Sequence, residues 1–454
     1  STMTQTIWIK NPRAVFTANA QDARGGILIR GTTIVELVAL GAQPVAAVDQ
    51  EFDATDLVLL PGLVNTHHHL YQTLTRAVPA ALNKRLFPWL KTLYPIWAGL
   101  QPEMLHSATQ LGLAELLLSG CTTVADHHYL FPLALTEAID IQVEAAAQMG
   151  SRVVLTRGSM SLGERDGGLP PQSTVQTDEQ ILRDCERVIM RFHQRGAGAM
   201  VQIALAPCSP FSVTSELMRQ TAALAKQRGV MLHTHLAETF DENAFCLQMF
   251  GLRPLDYLES VDWLHERTWL AHGIHFNDAE IQRMGAARIG VSHCPSSNMV
   301  LASGIARTKE MEAAGVKVGL GVDGSASNDG SNLIQEVRQA LLIGRLRYQA
   351  DEVSHLDALR WATKGSAQVL NRDDIGELAV GKQADLALFS LAEARFSGAH
   401  DALAALVLCG AHRAEHVMVA GRWRVTDHRL VDQDLDTIQR RHRHQAEQLL
   451  KQQG

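Results

Sequence analysis

Between residues 61 and 323, short apolar runs alternate with stretches of helical period. The runs end near His69, Asp126, Arg157, Pro207, His235, His272, Ser292 and Asp323. A run of four to eight apolar residues bounded by turn formers reads as a buried strand. Helical patterns fill the gaps, as at residues 103–118 and 215–227, and another at 332–346 follows the last run. Eight strand–helix repeats over roughly 300 residues predict an α/β fold, a (β/α)₈ TIM-type barrel with its active site at the C-terminal strand ends. The flanks read differently. Residues 6–9, 14–17, 26–29 and 33–37, and then 376–378, 384–389 and 417–421, are short strands with turn punctuation and little helical period. The simplest arrangement is a small β-sandwich built from both chain termini. The expected segments are therefore 4–60 (sandwich), 61–370 (barrel), 371–430 (sandwich) and 431–454, where 434–452 reads as a charged helix.

Chemistry gathers at the predicted strand ends. The apolar run at 57–60 leads into Pro61-Gly62-Leu63-Val64-Asn65-Thr66-His67-His68-His69. On a strand His67 and His69 would share one face and His68 the other. Alone, such a pair is as often packed histidine as metal ligand. The pattern recurs, however: His233 and His235 alternate on predicted strand five with Glu238 just beyond, His272 ends strand six, and Asp323 ends strand eight between Gly321 and Gly324. Three imidazoles and one carboxylate on one rim suit a borderline-soft divalent cation.

Composition narrows the setting. Of 454 residues, 46% are hydrophobic and 20% charged, and the net charge of −7 gives no electrostatic reason to bind nucleic acid or an anionic membrane. No apolar run approaches the ~18 residues of a membrane span, and no basic-then-apolar leader opens the chain. Six scattered cysteines without a CxxC pair suit a reducing cytoplasm, so a cytoplasmic location is expected. Ser1-Thr2 ahead of Met3 is expected to be an expression remnant.

Residues 61–69, His235-Leu236-Ala237-Glu238, His272, Asp323-Gly324-Ser325-Ala326-Ser327-Asn328 and the stretch IGELAVGKQAD at 375–385 together resemble the signature set of the amidohydrolase superfamily. Within it they are most similar to the branch of aromatic-base deaminases and chlorohydrolases. The resemblance implies that His67, His69, His235 and Asp323 hold metal, and that Glu238, His272 and Asp323 handle protons. Binuclear members carry a strand-four lysine, which 200–208 lacks, so one divalent metal per chain is expected, zinc first and iron as the alternative. A divalent cation lowers the pKa of bound water toward about 7. Glu238 in its acid form would protonate a ring nitrogen beside the attacked amidine carbon. His233 is expected behind the metal shell or in packing, not as a ligand.

Substrate contacts are expected from other strand-end residues. Gln72 offers an amide to a lactam edge. Cys208 stands in Pro207-Cys208-Ser209-Pro210, where adenosine-type relatives carry a histidine. Arg157 would meet a carbonyl or an anionic ring, or else form a surface salt bridge. Tyr129, Trp89 and Trp97 would cover an aromatic ring or simply pack. Residues 157–164 resemble the subgroup of hydroxytriazine ethylaminohydrolases and 8-oxoguanine deaminases. The implied function is ammonia release from the amidine carbon of a free base, 8-oxoguanine to urate, in a site with no room for a ribose. Alkylamine removal from a hydroxytriazine, a guanine- or isocytosine-type activity and a non-catalytic scaffold are the alternatives. The expected partners are a small aromatic base and further copies of the chain in a homo-oligomer, with no nucleic acid and no membrane.

Overall fold

The computed structural model describes residues 5–452; the reading of Ser1-Thr2, and residue 4 of the first segment, lie outside them. Eight parallel strands form the barrel in sequence order: Leu63–Asn65, Cys121–His128, Arg152–Ser159, Val201–Pro207, Met231–Leu236, Thr268–His272, Gly290–His293 and Lys317–Leu320. The first and last strands close on each other through Thr66 N–H to Leu320 O at 2.9 Å and Asp323 N–H to His67 O at 3.0 Å. Helices such as Pro102–Leu118, Ser215–Arg228 and Leu333–Arg347 cover the outside, and one apolar core runs between them and the barrel. Among the described residues no helix is long and apolar enough to cross a membrane.

The apolar run at 57–60 lies in the sandwich. Leu57–Pro61 pairs antiparallel with Leu386–Ser390 and belongs to a six-stranded sheet that draws on both ends of the chain. A second sheet, of four strands, comes from Thr6–Lys10, Gly26–Arg30, Thr33–Val38 and Gln50–Asp53. The chain leaves the sandwich at Gly62, where an added Cβ would lie 2.1 Å from Thr122 Oγ1. Only a residue without a side chain fits that crossing. Three strand residues follow before the histidines, which occupy extended chain beyond the strand end.

The sandwich is bolted to the bottom of the barrel by a buried ion pair. Arg152 donates from Nε to Asp385 Oδ2 (2.9 Å) and from its terminal nitrogen to Asp385 Oδ1 (3.0 Å), and its remaining donors reach Gln383, Gly198 O and Ala199 O. The Asp385 backbone carbonyl receives Gly62 N–H and its carboxylate receives Ala420 N–H, so one residue ties three segments. Both partners are essentially inaccessible to solvent. The C-terminal helix Leu435–Lys451 lies across Pro102–Leu118, with the His442 Nε2 to Thr73 Oγ1 contact at 2.9 Å beneath the first barrel loop.

Breaking a buried pair by removing one partner strands the other charge and costs about 3–5 kcal/mol. Arg152→Leu should therefore lower stability by about that amount, read as a shift of the urea midpoint. The double variant Arg152→Leu/Asp385→Leu should be less damaged than the single one.

Candidate metal centre and active site

His67, His69, His235 and Asp323 converge at the C-terminal mouth of the barrel. His69 Nε2 and His235 Nε2 lie 3.2 Å apart, and Asp323 Oδ1 is 3.2 Å from His67 Nε2 and 3.4 Å from His69 Nε2. Each imidazole is fixed from behind. His69 Nδ1–H donates to His127 O (2.7 Å) and His235 Nδ1–H to Cys208 O (2.6 Å). His67 Nδ1 meets His233 Nε2 at 2.8 Å, while His233 Nδ1–H donates to Trp269 O at 2.8 Å. A nitrogen facing a carbonyl must carry the proton, so this chain of bonds leaves His233 Nε2 as acceptor and turns the His67 Nε2 lone pair inward. The same reasoning turns the Nε2 lone pairs of His69 and His235 inward.

Three lone pairs therefore face one another without a proton between them. Burial pushes His69 down to about 4 and lowers His67 and His235 as well, so all three are neutral near pH 7. His67 Nε2 is buried with no hydrogen-bond partner. Burial alone would raise Asp323, but the imidazoles of His67, His272 and His69 overcome it and hold the carboxyl well below the usual range. Three lone pairs and a carboxylate repel one another unless a cation sits among them, and nitrogen and oxygen donors in this number suit zinc-like ions. The donor set fits a divalent metal.

Around it stand the proton-handling candidates. His272 Nε2 lies 3.4 Å from both Asp323 Oδ2 and Glu238 Oε2, with its Nδ1–H directed to Asn298 Oδ1 at 2.9 Å. Burial pushes Glu238 up to about 8; His235 opposes this, and the carboxylates of Asp323 and Glu242 add to it. Glu238 is accordingly an acid at neutral pH. Ala237, His272 and Asp323 all have positive φ (54°, 75° and 64°). Such conformations cost non-glycine residues about 1–3 kcal/mol and cluster at functional sites. Here they fall at or just past the ends of strands five, six and eight.

The centre opens into a cavity of about 450 Å³, within the range of small-molecule sites. Gln72, Cys208 and Tyr129 line it. The Gln72 amide accepts from Ala326 N–H (3.3 Å) and donates to Tyr71 Oη (3.3 Å), and Gly324 permits its approach, since a Cβ there would lie 2.0 Å from Gln72 Oε1. Burial pushes the Cys208 thiol up to about 12, leaving a neutral, weakly polar group. Trp89 also lines the cavity, while Trp97 is buried behind it with Nε1–H on Thr75 Oγ1.

Two expectations are corrected. Arg157 does not line the cavity. Its side chain points into the helix layer, where it binds Asp184 (2.8 Å), Gln176 (2.8 Å) and Gly158 O, and lies over the Phe131 ring at 3.6 Å. It is a buried ion pair rather than a surface one, set apart from the cavity. Nor does lack of space exclude a ribose, because the cavity is larger than a bicyclic base requires. Its lining is mainly apolar, with Leu86, Leu90, Leu169, Phe245 and Leu301, and Asp166, Ser209 and Ser212 also reach it.

Two site residues were invisible from the pattern alone. A ring nitrogen of His127 lies within 4.8 Å of those of His67, His69 and His235; His127 Nε2–H donates to Ala206 O, and its Nδ1 is buried without a partner. The signal was the His127-His128 pair closing strand two, which runs two residues past the predicted end. The other is Glu242, on the cavity wall.

A barrel of this topology, with this donor set at its mouth, defines a metal-dependent hydrolase, and the chain belongs to the amidohydrolase family, whose model matches residues 58–424. It is 63% identical over 443 residues to the 8-oxoguanine deaminase of Pseudomonas aeruginosa, covering 98% of this chain and 99% of that protein. It is 38% identical to the hydroxydechloroatrazine ethylaminohydrolase of Pseudomonas sp. (strain ADP), over 76% of this chain and 73% of that one. Among solved structures, the zinc complex of atrazine chlorohydrolase TrzN from Arthrobacter aurescens TC1 superposes with a TM-score of 0.91 at 32% identity, over 97% and 100% of the two chains.

Purified protein should carry close to one divalent metal per chain by elemental analysis. His235→Ala and Asp323→Ala should each lose most of it, and two tightly held ions matched by activity would contradict a single centre.

Proposed function

We propose that the chain is a hydrolytic deaminase of a free aromatic base, with 8-oxoguanine as substrate and zinc as the resident ion. The observation that carries this reading is the convergence of three inward lone pairs and one carboxylate beside an acid-form glutamate, in a chain 63% identical to an 8-oxoguanine deaminase. The zinc complex of the chlorohydrolase relative supports the choice of ion.

The cation supplies an acidified water at neutral pH. Asp323 Oδ2 and His272 Nε2, 3.4 Å apart, are the two groups that would take and orient the water's hydrogens. Glu238 gives its proton to the ring nitrogen beside the attacked carbon, which makes that carbon electrophilic. The carboxylate so formed collects the water proton first taken by Asp323 and passes it to the departing nitrogen, and the second water proton, released as the carbonyl forms, returns Glu238 to its acid form. Water adds, the C–N bond breaks, a carbonyl replaces the C–NH₂ and ammonia leaves. Gln72 meets the lactam edge and Cys208 the far ring; a buried polar atom left unpaired would cost about 1–3 kcal/mol. The aromatic walls of Tyr129 and Trp89 flank the ring plane.

The apolar outer wall favours a second reading, in which a hydroxytriazine loses an alkylamine whose hydrocarbon lies against Leu169 and Phe245. The chemistry is the same, with an alkylamine departing in place of ammonia.

Glu238→Gln should keep fold and metal while losing about 10²–10⁴-fold in kcat, the usual size of a general acid–base contribution. Near wild-type turnover would move the proton transfer elsewhere.

With one enzyme stock, ammonia release from 8-oxoguanine should greatly exceed that from adenosine or S-adenosylhomocysteine, with isocytosine between them. Faster nucleosides would overturn the role given to Cys208. Turnover of N-alkylated hydroxytriazines alone would install the second reading.

A further inference from the structure

Glu242 follows Glu238 by four residues, in the first turn of the helix Asp241–Phe250, and is 6% exposed. Both its carboxylate oxygens are occupied by backbone donors: Oε1 by Ala237 N–H at 3.1 Å, and Oε2 by Glu238 N–H at 2.6 Å and Thr239 N–H at 3.1 Å. An ordinary helix start accounts for only one of these bonds. Thr239 and Glu242 have the spacing of a capping box, in which the glutamate accepts from the threonine N–H and the threonine hydroxyl answers. Here the hydroxyl does not answer, since Thr239 Oγ1 is buried with no partner. The two additional bonds reach back past the cap, to Glu238 itself and to Ala237.

Ala237 is the residue that needs holding. Its φ of 54° puts an L-alanine in the left-handed region, where Cβ crowds the carbonyl oxygen that follows it. Its carbonyl is pinned from the other side by Ile274 N–H (2.9 Å) and His275 N–H (3.1 Å), in the loop after strand six. The Glu238 side chain has no such support. Among the described residues its carboxyl accepts no hydrogen bond and meets His272 Nε2 at 3.4 Å. Its aim is set by the turn from which it hangs.

We infer that Glu242 is a positioning residue for Glu238, gripping the Ala237–Thr239 turn so that the Glu238 carboxyl stays directed at the reacting ring. This rests on the proton-carrying role given to Glu238 above. Glu242 need not touch substrate, because neither of its oxygens is free. Three N–H donors on one carboxylate are charge-assisted bonds, which an amide cannot reproduce. In glutamine one oxygen becomes an NH₂, and at least one backbone donor then faces another donor.

The test is Glu242→Gln in two backgrounds, wild type and Glu238→Gln, with kcat, KM and metal content measured for each. In the wild type kcat should fall about ten- to hundredfold, the scale of an ångström-sized misplacement, with KM within a fewfold and metal unchanged. In the Glu238→Gln background the same substitution should cost less than about threefold, because residues acting as a unit are not additive. Equal losses in both backgrounds would overturn the inference and make Glu242 an independent contributor. Two further variants decide the matter should Glu242→Gln fold poorly. Ala237→Gly, which relieves the left-handed strain, should restore much of the folded yield and kcat to Glu242→Gln. Glu242→Asp, which keeps the charge but withdraws it, should show an intermediate kcat. A wild-type kcat for Glu242→Asp, or no recovery with Ala237→Gly, would refute the clamp. Unchanged turnover in Glu238→Gln alone would instead remove the premise about Glu238.

Discussion

Three imidazole nitrogens with no proton between them are held within 4.8 Å of one another, two of them within 3.4 Å of a carboxylate oxygen, and each ring is held from behind by a hydrogen bond. The acceptors are the carbonyls of His127 and Cys208, at the ends of strands two and four, and the ring of His233 on strand five, itself tied to Trp269 O. The site is therefore a property of the barrel's register. A slip of one residue in any of these strands would turn the supporting group to the opposite face and release an imidazole. Closure of strand one against strand eight, through Thr66 and Leu320, brings His67 and Asp323 into the same ring of residues.

Around this centre buried carboxylates serve as staples for backbone. Asp126 accepts from Leu70 N–H and the Gln142 amide, both at 2.7 Å, and so fixes the loop that follows the histidine triplet. Glu336 accepts from Ser296 N–H, Ser296 Oγ–H and the Asn328 amide, joining the loops after strands seven and eight. Burial pushes both groups up to about 7, which measures how far each has been withdrawn from water. Glu242 repeats the device after strand five. Loops that would otherwise wander are thereby given the rigidity that pre-organised catalysis needs.

Much of this was legible because two periods, 2 and 3.6, were written plainly in the middle of the chain. The histidine pairs, Glu238, His272 and Asp323 were found because donor residues fell together at predicted strand ends. The misreadings have local causes. Gln50–Asp53 pairs with Thr6–Lys10 although only one of its four residues is apolar. Arg157 sits at a strand end, yet a strand end has two faces, and its partners Asp184 and Gln176 are distant enough in sequence that no local pattern joins them. Glu242 reads as a common helix-start residue until the two additional backbone donors are seen.

The apolar wall of the cavity is contributed by separate strand-to-strand connections: Leu86 and Leu90 on a helix after strand one, Leu169 in the loop after strand three, Phe245 on a helix after strand five and Leu301 after strand seven. None of these residues helps to hold the imidazoles. Inheritance can therefore act on floor and wall independently, conserving the reacting groups while the specificity surface drifts one loop at a time. Leu301 also closes the helix Pro295–Val300 and packs in the core, so such steps are least constrained at the exposed Leu169 and Phe245. A lineage built on this plan can shift from one heterocycle to another by exchanges at such exposed wall positions.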